Sequence, residues 1–202
     1  MSPRKPIRVP RYLFIACHLA VHLAPTIWLS VIFYLGLQDE LGGDPVQYLL
    51  DFTGIGALNL LVASLSVSLL AQHFKFAQLM KLRRPIGLYS AFYAFAHFTV
   101  YIAFELQFEF NMLVSEIIKR PYITIGFVAL LILGLLSITS LSWIKKSMGR
   151  KWFSLHKLSY LAVLLAGFHY LWLIKSGWYE PVIYLVIAGI LLFMKREKLR
   201  KL

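Results

Sequence analysis

Six apolar runs dominate this 202-residue chain, at 12–36, 55–72, 86–104, 122–143, 155–174 and 181–194. A helix of about 20 apolar residues crosses a hydrocarbon core ~30 Å thick, so runs of this kind predict membrane spans. Composition agrees: 59% of residues are hydrophobic and 15% charged, too few polar side chains to cover a soluble surface of this size. Inside a bilayer the backbone must satisfy its own hydrogen bonds, which leaves helices as the spanning element. The sequence therefore predicts an all-α polytopic bundle of six transmembrane helices, organised as one domain over 1–202. The last run is the shortest, with Trp178 and Tyr179 at its start as interfacial anchors.

The first run follows Arg4, Lys5, Arg8 and Arg11, an arrangement shared with secretory signals. Its apolar stretch is too long for a signal, and no small-x-small cleavage pattern follows, so a retained helix is expected.

Charge sorts by loop. Of 21 Lys and Arg residues, eighteen precede the first span, join spans two and three or four and five, or follow the sixth. The other three loops hold Lys119, Arg120 and Lys175 together with eight of the nine acids. The positive-inside rule then predicts both termini in the cytoplasm and the acidic loops outside. The same segregation accounts for the formal net charge of +12 without nucleic acid, because cytoplasmic loops face anionic lipid. The loops leave no room for a flavin or nicotinamide domain, no glycine-rich phosphate motif occurs, and no internal repeat is evident. The one cysteine, Cys17, excludes an internal disulfide and covalent haem attachment through a CxxCH motif.

Chemistry is therefore sought among the six histidines. An ionisable side chain within a span is costly and marks a functional hypothesis. His97 lies 14 residues after Arg83, ~21 Å along the third span. His169 lies 13 residues after His156, ~20 Å along the fifth. The two spans run the same way, so His97 and His169 are expected at one depth, in the outer half of the bilayer. Two imidazoles at one level on separate helices suit the two axial positions of a haem b iron, an arrangement that favours electron transfer. Ala94, Ala96, Ala162 and Ala166 leave room for a macrocycle, and nearby aromatics would pack its edge. The alternative is that each histidine makes an interhelical hydrogen bond. His18 and His22, four apart on one helix face, would bind a metal, line a quinone or propionate pocket, or pack and hydrogen-bond. His73 reads as interfacial.

Two further groups stand at the inner end. Lys145, Lys146, Arg150, Lys151 and His156 form a basic cluster that would hold a quinone head group, a flavin phosphate or a reductase surface, or would simply set topology. Arg83 and Arg84 read either as a lipid-facing topology pair or as a partner for propionate, phosphate or iron. Arginine is a poor iron ligand because its guanidinium stays protonated. The 13-residue spacing also leaves His156 about 140° from His169 around an ideal helix. On the outside, Asp39, Glu40, Asp44, Asp51, Glu105, Glu109 and Glu116 make an acidic face that would steer a docking partner, or would follow from charge segregation alone.

The segments RRPIGLYSAFYAFAHFTVY (83–101) and GRKWFSLHKLSYLAVLLAGFHYLW (149–172) resemble the ferric-reductase-type transmembrane domain. Within it they are similar to the haem-bearing membrane subunits of bacterial periplasmic methionine sulfoxide reductase systems. LGGDPVQYLLDFTGIGAL (41–58) and KRPYITIGFVALLILGLLSITS (119–140) extend the likeness over nearly the whole chain. The resemblance implies an inner-membrane subunit that takes electrons from the quinone pool or a cytoplasmic flavin reductase. It implies delivery to a periplasmic molybdopterin enzyme, and FMN binding beside haem. Related oxidase cores carry two histidines on each of spans three and five, enough for two stacked haems. Here Arg83 stands at the inner position of span three, so an inner haem would have His156 and no matching histidine. The readings kept open are a stand-alone ferric or oxygen reductase and a cofactor-free transporter or structural membrane protein.

Overall fold

A computed structural model describes residues 10–175 and 177–200, with side chains to 196. Its elements are helical throughout the described residues: α1 (Arg11–Leu37), α2 (Pro45–His73), α3 (Met80–Val100), α4 (Phe110–Lys119), α5 (Pro121–Ile138), α6 (Ser142–Met148), α7 (Arg150–Leu155), α8 (Leu158–Leu173) and α9 (Tyr179–Arg200). Among the described residues, four helical stretches are long and apolar enough to cross a membrane: Arg11–Leu37, Pro45–His73, Ala77–Glu105 and Pro121–Ile138. The chain divides into two compact units, the first ending at Val100 and the second beginning at Tyr101.

In the first unit, α2 begins ten residues before the apolar run that announced it. Asp44 caps it by accepting a hydrogen bond from the Gln47 amide at 2.9 Å, and Pro45 sits in the first turn. A capping aspartate followed by proline starts a helix regardless of hydrophobicity, which is why counting apolar residues missed this end. The α2–α3 pair is closed by small and hydroxyl residues. Ser90 Oγ donates to the Ala57 carbonyl at 2.8 Å, Ser64 Oγ donates to the Arg83 carbonyl at 2.9 Å, and Gly56 faces the Tyr93 ring. Small residues let helix backbones approach where no hydrophobic force between helices exists. α1 packs more lightly, burying only Leu29 and Ile32. Its Pro25 carbonyl accepts the Tyr93 hydroxyl at 2.7 Å.

α3 continues into a π-helical turn, Tyr101–Glu105, at the start of the second unit. α4 follows in what the apolar pattern left as loop. Its Leu113 and Ile117 are half-buried, while Phe110, Met112, Val114 and Ile118 are exposed. α5 pairs with α8, and Gly167 of α8 lies against Leu185 of α9. The expected fourth span, 122–143, stops at Ile138, and the basic segment after it forms two short helices broken at Gly149, whose φ is +53°. That left-handed conformation favours glycine.

The α5–α8 pair repeats the α2–α3 pair at an offset of 72 residues. Buried Ala129, Leu130, Leu133, Leu136, Thr139 and Ser140 each fall 72 positions after a buried residue: Ala57, Leu58, Leu61, Ser64, Val67 and Ser68. Ser90 and Ala162, fully buried on α3 and α8, obey the same offset. Between 50–68 and 122–140 only five of 19 positions are identical, so the repeat lies in burial rather than in residue identity.

Candidate histidine site

Each helix pair seats one histidine. His97, near the end of α3, places Nδ1 3.0 Å from the Leu50 carbonyl of α2. His169, near the end of α8, places Nδ1 2.7 Å from the Tyr122 carbonyl of α5. Both acceptors lie 47 residues before their histidine. A carbonyl can only accept, so Nδ1 carries the proton in each ring and the neutral imidazole keeps its lone pair on Nε2. A histidine that donates from one nitrogen to a carbonyl is oriented and made more basic at the other, as a metal ligand requires.

Glycine makes room for each ring. A Cβ on Gly54 would lie 3.0 Å from the His97 Nδ1, and one on Gly126 would lie 2.8 Å from the His169 Nδ1. Helical side chains lean toward the N-terminus and cover the turn before them. Glycine four residues after Leu50, and again four after Tyr122, therefore leaves those carbonyls open to the side. The apolar pattern of α2 and α5 carries no sign of this. The available signal was a glycine 43 residues before each histidine, at positions 54 and 126.

The Tyr122 end of the second seat is anchored. Arg120 forms an ion pair with Glu116 at 2.7 Å and donates to the Tyr122 hydroxyl at 3.0 Å. The hydrogen bond to Tyr122, and then the charge of Glu116, raise the already high pKa of the guanidinium, which stays cationic at any physiological pH.

His156 is placed differently. It sits in the turn between α7 and α8, two residues before α8 begins, so the rotation expected along one ideal helix does not apply. Its Nε2 lies 3.2 Å from Thr139 Oγ1. That hydroxyl already donates to the Leu135 carbonyl at 2.7 Å and so accepts from His156, which puts the proton on Nε2. The Trp152 ring stacks on His156 with centroids 3.9 Å apart, and Lys145 Nζ lies 4.4 Å from the Trp152 ring centroid. Trp152 Nε1 donates to the Thr139 carbonyl at 2.9 Å. Arg150 and Lys151 open α7 beside this column and are exposed. In the first unit Arg83 is half-buried and gives its carbonyl to Ser64. The 72-residue offset matches His156 with exposed Arg84 rather than with Arg83.

The remaining histidines meet ring and hydroxyl partners. His18 and His22 stack at 5.0 Å, and the Tyr89 hydroxyl lies 3.3 Å from His22 Nδ1 while donating to the His22 carbonyl at 3.0 Å. His73 sets its ring edge-on to Phe74. Among the described residues no three His, Cys, Asp or Glu side chains cluster as a metal site.

Residues 52–167, more than half of the chain, match the family model described as "Ferric reductase like transmembrane component". The match includes His97 and His156 and ends two residues before His169. The chain is 36% identical over 182 residues to the "Protein-methionine-sulfoxide reductase heme-binding subunit MsrQ" of Pasteurella multocida, covering 87% of this chain and 88% of that protein. It is 37% identical over 171 residues to proteins of the same name from Brucella ovis and Brucella canis, covering 85% of this chain and 76% of each. With its apolar helices, paired histidine seats and these likenesses, the chain belongs to the ferric reductase-like transmembrane family and, within it, to the MsrQ group.

Proposed function

We propose that this protein is a haem b electron-transfer subunit of a methionine sulfoxide reductase system. The single observation that carries the reading is the repeated seat, in which His97 and His169 are each held by Nδ1 so that Nε2 is the ligating nitrogen. His97 and His169 are the residues that would hold haem b, which when bound would supply a one-electron Fe(III)/Fe(II) couple. The chain's own residues do the rest. Leu50 and Tyr122 orient the two rings, Gly54 and Gly126 admit them, and the surrounding apolar side chains exclude water.

Six crossings of the bacterial inner membrane, with both termini cytoplasmic, are the topology this function needs. Support comes from the charge asymmetry of the loops and from the four stretches that are long and apolar enough to span among the described residues. Electrons enter from the quinone pool or a cytoplasmic flavin, and the exposed Arg150 and Lys151 beside the Lys145–Trp152–His156 column suit an FMN phosphate. A second, inner haem would draw on His156 only once Nε2 gave up its hydrogen bond to Thr139, with Arg83 and Arg84 as the cations proposed for its propionates. Electrons leave to a periplasmic molybdopterin subunit, which needs two of them and two protons to turn each sulfoxide into sulfide and water.

The test is a pyridine haemochrome assay with absorption spectra on the purified full chain. One low-spin b-type haem per polypeptide that disappears in both His97→Ala and His169→Ala is the expected result. A protein that purifies colourless from haem-replete cells would refute the proposal.

A further inference from the structure

We infer that Gly54 and Gly126, with the Leu50 and Tyr122 carbonyls they uncover, are paired positioning residues that set the basicity and angle of the two haem-ligating imidazoles. This rests on the haem reading above and extends it to residues that touch no iron.

Three observations converge. The geometry occurs twice, at one constant offset, in helix pairs that share few identities. Two helices packing by general rules have no reason to place a glycine four residues after the acceptor carbonyl and 43 before the histidine in both cases. The space is also tight. Added Cβ atoms would meet ring atoms at 3.0 and 3.2 Å for Gly54, and at 2.8, 2.9 and 3.0 Å for Gly126, distances that real Cβ contacts rarely reach. The obstructing atoms belong to a ring whose Nδ1 is tied to a carbonyl, so the ring cannot turn aside and keep its hydrogen bond. Finally, the bonds at 3.0 and 2.7 Å are made to backbone carbonyls of residues held within α2 and α5. A backbone acceptor cannot swing away as a side chain can. Donation from Nδ1 gives the imidazole imidazolate character, which favours Fe(III) and lowers the potential.

The seats are unequal in a way the experiment can read. His169 makes the shorter bond and Gly126 the tighter fit. Gly126→Ala is expected to act more strongly than Gly54→Ala, and each to loosen haem retention by about 10- to 100-fold, as loss of outer-shell support does at metal sites. Gly189, whose added Cβ meets nothing within 4 Å, supplies the control variant Gly189→Ala.

The full-length protein is purified in detergent, and haem per chain, electron paramagnetic g-values and midpoint potential are measured beside circular dichroism. Folded Gly54→Ala and Gly126→Ala proteins with lost or high-spin haem, beside an unchanged Gly189→Ala, bear the inference out. Unchanged g-values and potential in both overturn it while leaving the haem reading intact. A colourless parent protein overturns the haem reading itself, and the inference with it. Should either alanine variant fail to fold, an ester in place of the 50–51 or 122–123 amide weakens the acceptor carbonyl without adding an atom. The potential should then rise, and an unmoved potential overturns the inference.

Discussion

The two helix pairs match at one end and differ at the other. At the matching end, α2–α3 and α5–α8 each join a histidine Nδ1 to a carbonyl over a glycine. At the other end, the first pair closes with Ser64 on the Arg83 carbonyl, whereas the second closes with Thr139 against His156 under a stacked Trp152. The rings at the two ends also carry their protons on opposite nitrogens. A repeated backbone arrangement thus serves two purposes, a symmetric seat at one end and a one-sided polar column at the other. What differs is not the helix packing, because the buried positions still correspond down to Ser68 and Ser140. The difference lies in which side chains sit beyond it.

The largest effect should come from removing a histidine at the matching end. His169→Ala, and equally His97→Ala, is expected to abolish the low-spin haem spectrum. A variant that keeps it would make the symmetry there a packing feature alone. Next is the histidine at the other end. His156→Ala should leave the spectrum and potential of the haem held by His97 and His169 unchanged. Loss of the main band, measured by difference spectroscopy, would erase the distinction between the ends. Charge reversal at Arg150 and Lys151 together should lower FMN content about tenfold, the equivalent of ~1.4 kcal/mol, with haem intact. Flavin unchanged on extraction and fluorimetry would make the pair topology charges. The smallest change is Ser90→Ala, which makes α3 resemble α8 at the matching Ala162. Loss of one interhelical hydrogen bond should cost about 0.6 kcal/mol, seen as a slight drop in thermal midpoint with no change at the haem.

His97 and His169 were each legible as histidines well inside an apolar run, because position along a helix is additive in residue number. Their acceptors were not, because Leu50 and Tyr122 contribute carbonyls, and every residue has one. The glycines were hidden for a related reason: in membrane helices glycine is common, and its role depends on what stands opposite. Helix ends were misjudged wherever they rest on caps or turns rather than on apolar length, as at Asp44 for α2 and at Gly149 between α6 and α7. α4 was missed because a ten-residue amphipathic segment falls below the length that marks a span.

The amino-acid order alone determined that this chain carries helices long and apolar enough for a membrane, how its charges divide among the loops, and where its histidines fall along those helices. These follow from apolar length, charge and helical rise, all of which are properties of consecutive residues. Tertiary structure decided which nitrogen of each ring is protonated, that His156 lies off α8, and that the two helix pairs share a burial pattern 72 residues apart. The protonation pattern depends on groups 17 to 47 residues away being brought within 2.7 to 3.2 Å of a ring nitrogen, and only the packing of one helix against another can arrange that.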